Sequence, residues 1–215
     1  MKNYVKISNI IKKFNKVITV QGDKSISIRW ALMASQAVGK SRANNLLKSE
    51  DVESTLNALK KIGVKVFKNQ KYCEIIGKGL NSYNFKNNTT IDAGNSGTLA
   101  RLILGLLSGY NRSVKIIGDK SLSRRDFSRI IKPLNIFGVK IKSENNKLPV
   151  ISKGTNFLRP IYFEEKKGSA QVKSCIMLAS LNTPGVTKIK CVNSRDHTER
   201  LFNYLKIPIV IKKLS

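Results

Sequence analysis

Histidine is nearly missing from this chain: His197 is the only one among 215 residues. Any Ser-His-Asp, Cys-His or multi-histidine metal chemistry would have to pass through that one position, so all three are set aside. The three cysteines, Cys73, Cys175 and Cys191, stand far apart and without CxxC spacing. Neither a disulfide framework nor a zinc site is suggested, and the reducing cytoplasm is the expected compartment. They read as small buried hydrophobes. No apolar run approaches the ~18 residues that a membrane span needs; the longest, Leu102 to Leu107, is far shorter. Residues 1 to 20 scatter Lys2, Lys6, Lys12, Lys13 and Lys16 among short apolar pairs and so lack the continuous apolar stretch of a secretory signal. The GxGxxG fingerprint and the GxxxxGK[ST] P-loop are both missing, which leaves a Rossmann or NTPase reading without its motif.

Negative charge is also scarce. Against 40 Lys+Arg there are 13 Asp+Glu, a formal charge of +27. A balance this basic favours polyanions through counterion release and raises a nucleic-acid-binding reading. The lysines, however, are dispersed through strands, loops and helix faces, aromatics make up only 7%, and no recognition motif stands out. Nucleic acid is therefore not the expected partner, and neither is a membrane. The 41% of hydrophobic residues is close to the globular share and is enough for a sizeable core.

What the sequence does have is an internal repeat. Three apolar segments begin at Ser25, Ser96 and Ser169, roughly 70 residues apart, and each is followed by a polar stretch that holds an aspartate: Asp51, Asp126 and Asp196. Each segment is apolar nearly all round beyond its first turn, the pattern of a helix buried within a domain. The second helix of each unit carries a single apolar stripe, as in Leu56, Leu59 and Ile62. The first two of these stripes run into a glycine and then a strand, at Gly63 and Gly138. The third has Pro208 in the glycine's place and reads as cut short. Strands are expected at Tyr72–Ile76, Val114–Ile117, Val139–Lys142, Val150–Ile151, Ile161–Phe163 and Thr187–Val192. The fold class is α/β.

The polar residues of the three buried helices collect at their N-terminal ends. A helix N-terminus presents unpaired N–H groups and about half a positive charge, so three such ends facing one way form a receptor for phosphate or carboxylate. Lys24 and Ser25 open the first, with Arg29 one turn on; Asn95, Ser96, Gly97 and Thr98 open the second, with Arg101 one turn inside. Ser169 and Gln171 open the third, with Lys173 close behind. The same residue types serve as ordinary helix caps, and that reading stands beside the functional one. Arg124 and Arg125 read as either site residues or solvated charge, and His197 as a hydrogen-bonded loop residue.

Five stretches at these positions, GDKSISIR (Gly22 to Arg29), DAGNSGTLAR (Asp92 to Arg101), GDKSLSRR (Gly118 to Arg125), SAQVKS (Ser169 to Ser174) and SRDHTER (Ser194 to Arg200), together resemble the 5-enolpyruvylshikimate-3-phosphate synthase family. The related UDP-N-acetylglucosamine enolpyruvyl transferases share the fold, but their first motif and reactive-cysteine loop are not seen. The resemblance implies an inside-out α/β barrel domain of three βαβαββ repeats, one of the usual two domains. Residues 1–20 would then belong to the otherwise missing second domain, and residues 21–215 would form the transferase domain. Its repeats fall at about 21–90, 91–160 and 161–215, the last one truncated.

By position, the resemblance assigns Lys24, Ser25, Arg29, Ser169, Ala170, Gln171, Ser194 and Arg195 to shikimate 3-phosphate. It assigns Lys24, Asn95, Gly97, Arg125 and Gln171 to phosphoenolpyruvate. The implied reaction moves the enolpyruvyl group to the 5-hydroxyl of shikimate 3-phosphate and releases phosphate, with no cofactor and no metal. Its proton-transferring carboxylate and lysine belong to the absent half, and Asp51, Asp119, Asp126, Asp196 and Glu199 match neither, so no catalytic residue is assigned here. Departures from the family pattern are Asp23 for serine, Ile28 for asparagine and Asp126 for proline. Gly97, rather than a bulkier residue, implies that an intact site admits glyphosate. A working half-enzyme paired with a separate C-terminal half or a second copy, and an inactive truncated remnant, both remain open.

Overall fold

A computed structural model of the chain describes residues 15–212 continuously, together with residues 6, 8, 9 and 13. Most of the expectation for residues 1–20 lies outside the described residues; residues 15–20 are exposed coil. The first group of elements is α1 (Lys24–Ala34), β1 (Val38–Ala43), α2 (Glu50–Lys61), β2 (Lys65–Lys68) and β3 (Cys73–Lys78). The second runs β4 (Thr89–Asp92), α3 (Gly97–Leu107), β5 (Ser113–Ile117), the short α4 (Lys120–Ser123), α5 (Ser128–Phe137), β6 (Lys140–Ser143) and β7 (Val150–Lys153). The third is β8 (Tyr162–Glu165), α6 (Ala170–Ser180), β9 (Lys188–Cys191) and α7 (His197–Tyr204).

Each group has its own sheet. In the second the order is β4-β5-β7-β6, with β4 parallel to β5 and the other pairs antiparallel. The first has order β1-β3-β2, all antiparallel, and the third, among the described residues, is the parallel pair β8-β9. The helices α1, α3 and α6 form the centre. All but the first turn of α1 and α6 is almost wholly buried, and α3 is buried along nearly its whole length. Their apolar side chains have no water to face in any direction, which is why no stripe is needed. α3 and α6 approach backbone to backbone: a Cβ on Gly105 would stand 2.3 Å from the Cys175 carbonyl oxygen, so only glycine fits. α2 and α5 cover this centre with apolar stripes, including Leu56, Leu59, Ile130 and Leu134.

The three outer helices end in the same way, and here the structure corrects the sequence reading. Gly63 and Gly138 take φ of +89° and +103°, and the following N–H groups of Val64 and Val139 donate back to the carbonyls of Leu59 and Leu134. After α7 the same left-handed turn is made by Lys206, φ +56°, and Ile207 N–H donates to Phe202 C=O at 2.9 Å. Lys206, not Pro208, is therefore the counterpart of the glycines, and Pro208 lies where the strand follows in the other two groups. Cys73 and Cys175 are buried as expected, whereas Cys191 is exposed because it ends the strand β9. Burial pushes the Cys175 thiol up to about 12, so it stays protonated and inert.

A candidate anion site at the helix N-termini

The N-terminal ends of the central helices are capped by side chains that free the flanking residues to face outward. Asp23 Oδ1 accepts from Ile26 N–H at 2.8 Å, Ser96 Oγ from Leu99 N–H at 3.3 Å, and Ser169 Oγ from Val172 N–H at 3.4 Å. In α1 the cap is therefore Asp23, and Ser25 is left free of capping. A cleft of about 280 Å³ lies between α1 and α6. Ser25 and Arg29 line it from α1, Ser169, Ala170 and Gln171 from α6, and Arg195 and His197 from the start of α7. No acidic side chain lines it, so the wall is made of hydroxyls, one amide, one imidazole and two guanidinium groups.

Arg29 is anchored rather than mobile. Its Nε donates to Thr198 Oγ1 at 2.8 Å, one Nη to Ser174 Oγ at 2.9 Å, and the other Nη to the Ser25 carbonyl at 3.2 Å. Ser174 in turn bonds Thr198 at 2.7 Å and donates to the Ala170 carbonyl at 2.6 Å. Burial lowers the Arg29 pKa, and the nearby Glu199 carboxylate works against that fall. Beneath it, Lys173 of α6 and Glu199 of α7 form a buried ion pair. These contacts tie α1, α6 and α7 together around Arg29.

A second cluster sits at the start of α3. Arg125 donates to Asn95 Oδ1 at 3.1 Å, and Asn95 Nδ2 donates to Asp119 Oδ2 at 2.6 Å. Arg101 donates to the Gly97 carbonyl at 3.2 Å, repeating the i to i−4 bond of Arg29, and its guanidinium lies 4.7 Å from the Phe127 ring centroid. A Cβ on Gly97 would meet Arg101 Nη1 at 2.7 Å and Arg125 Nη1 at 3.2 Å, so glycine is what lets both guanidinium groups close over the helix end. The N–H of Leu122, with help from Asn95, holds the Asp119 carboxyl below the usual carboxylate range. Gln171 joins the two regions: its Oε1 accepts from Arg101 at 3.1 Å and its Nε2 donates to Thr98 at 3.0 Å, while the residue also lines the first cleft.

The structure thus brings Ser25, Arg29, Ser169, Ala170, Gln171 and Arg195 onto one cleft, and Asn95, Gly97 and Arg125 into the neighbouring cluster. Two sequence candidates stand apart. Lys24 is half-exposed and pairs with Asp51 of α2 at 2.9 Å, and Ser194 is not on the cleft wall, its buried Oγ lacking a partner among the described residues. Of the residues read as opening the helices, Thr98 meets Gln171 at the start of α3, whereas Lys173 is not on the cleft wall but buried in its pair with Glu199. The sequence reading assigned no role to Ser174 or Thr198. Their partners lie as far as 169 positions away, so no local pattern marks them. Arg101 did carry a signal: it stands four residues after Gly97 as Arg29 does after Ser25.

Comparison with known proteins agrees with this architecture. The family model for EPSP synthase (3-phosphoshikimate 1-carboxyvinyltransferase) matches residues 8–214. A 3-phosphoshikimate 1-carboxyvinyltransferase of Ruthia magnifica is 41% identical over 208 residues, covering 95% of this chain and 48% of the relative. The protein of that name from Clostridium tetani is 38% identical over 96% of this chain and 47% of its own length. A solved structure of EPSP synthase from Acinetobacter baumannii superposes with a TM-score of 0.81 at 36% identity, covering 86% of this chain and 42% of that one. The fold therefore defines the class, an α/β domain of the enolpyruvyl transferase type. The chain belongs to the EPSP synthase family. It spans about half the length of the curated relatives it matches.

Proposed function

We propose that this chain is the N-terminal half of a 3-phosphoshikimate 1-carboxyvinyltransferase, with residues 21–215 forming one transferase domain and residues 1–20 leading from the other. The observation that carries this reading is the position of Gln171. It lines the α1–α6 cleft and at the same time is bonded to Arg101 and Thr98 beside Asn95, Gly97 and Arg125. Two anions that must react with each other need two adjoining cationic subsites with a shared wall, and this is such a wall.

In this reading Ser25, Arg29, Ser169 and Arg195 hold shikimate 3-phosphate, and Asn95, Gly97 and Arg125 border phosphoenolpyruvate. Lys24 reaches both substrates after leaving its Asp51 partner, and Ser194, which is off the cleft wall here, comes to the shikimate side only if its segment shifts. Phosphoenolpyruvate gains a proton at its methylene carbon, the 5-hydroxyl attacks the cationic carbon and gives up its own proton, and the tetrahedral intermediate expels phosphate as the new methyl group loses a proton, which restores the double bond. The arginines orient both anions and stabilise the departing phosphate; the proton-transferring groups come from outside this half.

Isothermal titration of the 215-residue chain with shikimate 3-phosphate tests the reading. Binding is expected, weakened about tenfold in the variant Arg195→Gln, which removes an exposed charge-assisted contact and leaves the core untouched. No heat of binding, or an Arg195→Gln variant that binds as well as the parent, overturns it. Phosphate release from the two substrates, with Lys24→Ala as control, then decides whether the chain turns over unaided.

A further inference from the structure

The third group is short of one strand, and the place for it is marked on both sides. In the first group β3 lies between β1 and β2, and in the second β7 lies between β5 and β6, antiparallel to both neighbours each time. The outer members β2 and β6 begin two residues after the left-handed Gly63 and Gly138. The same spacing from Lys206 puts their counterpart at residues 208–211, which form no ladder. Ile209 nevertheless packs against the core, as Val66 does from β2 and Ile141 from β6. The outer segment is thus already seated while its neighbour is missing. On the other wall, β9 pairs only with β8 among the described residues. Lys188 and Val192 donate their N–H groups to Ile161 and Glu165 on the β8 side, so those of Ile189 and Cys191, at the alternate positions, point the other way. Ile189 is only partly buried, whereas Ile116, placed opposite Ile91 of β4 as Ile189 is opposite Phe163 of β8, is fully buried.

We infer that the gap between β9 and residues 208–211 is an acceptor for one extended strand, and that its occupant is a segment of the transferase's other half. The inference rests on the reading of this chain as an N-terminal half. In the complete groups the loops from the outer strand to the middle one are residues 69–72 and 144–149. Either length, measured from Ile211, puts the start of the strand past Ser215, so the occupant is not among these 215 residues. Its pattern follows from β3 and β7, where alternate positions, Cys73 and Ile75 or Val150 and Ser152, are buried. Charge narrows the choice further. β3 brings Glu74 to Lys40 and Arg42 of β1, at 3.4 and 2.9 Å. On β9, Lys190 pairs with Glu164 at 3.6 Å, but Lys188 has no carboxylate partner among the described residues, so an acidic side chain on the incoming strand fits there. A second copy, with its own net charge of +27, is repelled from this lysine-bearing edge. Main-chain hydrogen bonds to Ile189 and Cys191 hold the strand, and its alternate side chains fix the register.

Two extensions of the full chain test this by amide hydrogen exchange. One appends a copy of Leu148 to Lys153 after Ser215, so that the copied strand begins as far beyond Ile211 as β7 begins beyond Ser143. The other appends the equally long stretch that follows the counterpart of Ser215 in the Ruthia magnifica relative. The parent chain should sediment as a monomer and exchange the amide protons of Ile189 and Cys191 quickly; in both extended chains those protons should exchange at least about tenfold more slowly. Ile151→Pro within the appended copy should abolish the protection, because a middle strand does not tolerate proline. Unchanged exchange with the first extension, or protection that survives the proline, overturns the acceptor. Protection from the first extension alone overturns the assignment to the other half, and so does a parent chain already protected, in favour of a second copy when that chain sediments as a dimer. Titration with shikimate 3-phosphate reads out separately: protection without substrate binding sinks the functional reading and leaves the acceptor, and substrate binding without protection does the reverse.

Discussion

The second and third groups of elements are built on one plan and secured by different means. In the second, α5 leads into a four-stranded sheet, and Gly138 closes the helix in a left-handed turn. In the third, two parallel strands are all that the described residues provide, and the closing turn is made by Lys206. α7 is held instead from below, by Thr198 bonded to Arg29 and Ser174 and by Glu199 paired with Lys173. Through Arg29 the same contacts hold part of the wall of the α1–α6 cleft. The difference teaches that in the third group stability and site geometry rest on one polar network, whereas in the second they are largely separate.

The largest expected effect comes from breaking that network. Lys173→Met leaves the Glu199 carboxylate buried and alone, which should cost about 3–5 kcal/mol in urea unfolding. Adding Glu199→Gln should recover much of it, since the penalty lies in the unpaired charge. A single and a double variant of equal stability would mean that the pair does not secure α7. Next is Gly105→Ala, which drives a methyl group into the Cys175 carbonyl and separates the central helices of the two groups; a loss of about 3 kcal/mol is expected from overpacking against backbone. Lys206→Gly should make the third group's closing turn resemble the other two. It removes the cost of a side chain in the left-handed region and should stabilise by about 1 kcal/mol.

The smallest effect is a pH dependence belonging to the second group. Asp119, exposed, has its carboxyl held low first by the Leu122 N–H and then by Asn95. A lowered folded value means that its contribution is complete above the ordinary carboxylate range and is lost as pH falls through the depressed value. Acid titration followed by circular dichroism should therefore show a shallower loss in Asp119→Asn, from a lower plateau. A parallel shift of the whole curve would contradict the assignment.

Much of this was legible beforehand, and the reasons are local. The central helices lie within a residue of the apolar runs that begin at Ser25, Ser96 and Ser169, because an uninterrupted apolar surface at helical length has only one place to go. Gly63 and Gly138 marked the ends of α2 and α5 because glycine is the residue that takes positive φ freely. Lys206 was not legible, since a lysine carries no sign of a left-handed turn; the hydrogen bond from Ile207 to Phe202 enforces it. Nor was the exposure of Cys191, which follows from its place at the end of β9, paired on one side to β8.

For the site the division is similar. The motif residues at the helix starts announced an anion, because charge and N–H groups at one position act together whatever surrounds them. Composition and periodicity therefore determined the class of fold, while the resemblance of the motifs to a known family pointed to that family and to most residues of the cleft. What only the tertiary structure decided is how those residues are held and which of them meet. Gln171 bridges to Arg101, Arg29 is fixed by Thr198 from across the chain, and Lys24 turns to Asp51. Hydrogen bonds and ion pairs between distant segments depend on where three helices come to rest. Their packing is a property of the assembled core, written in no single stretch of the sequence.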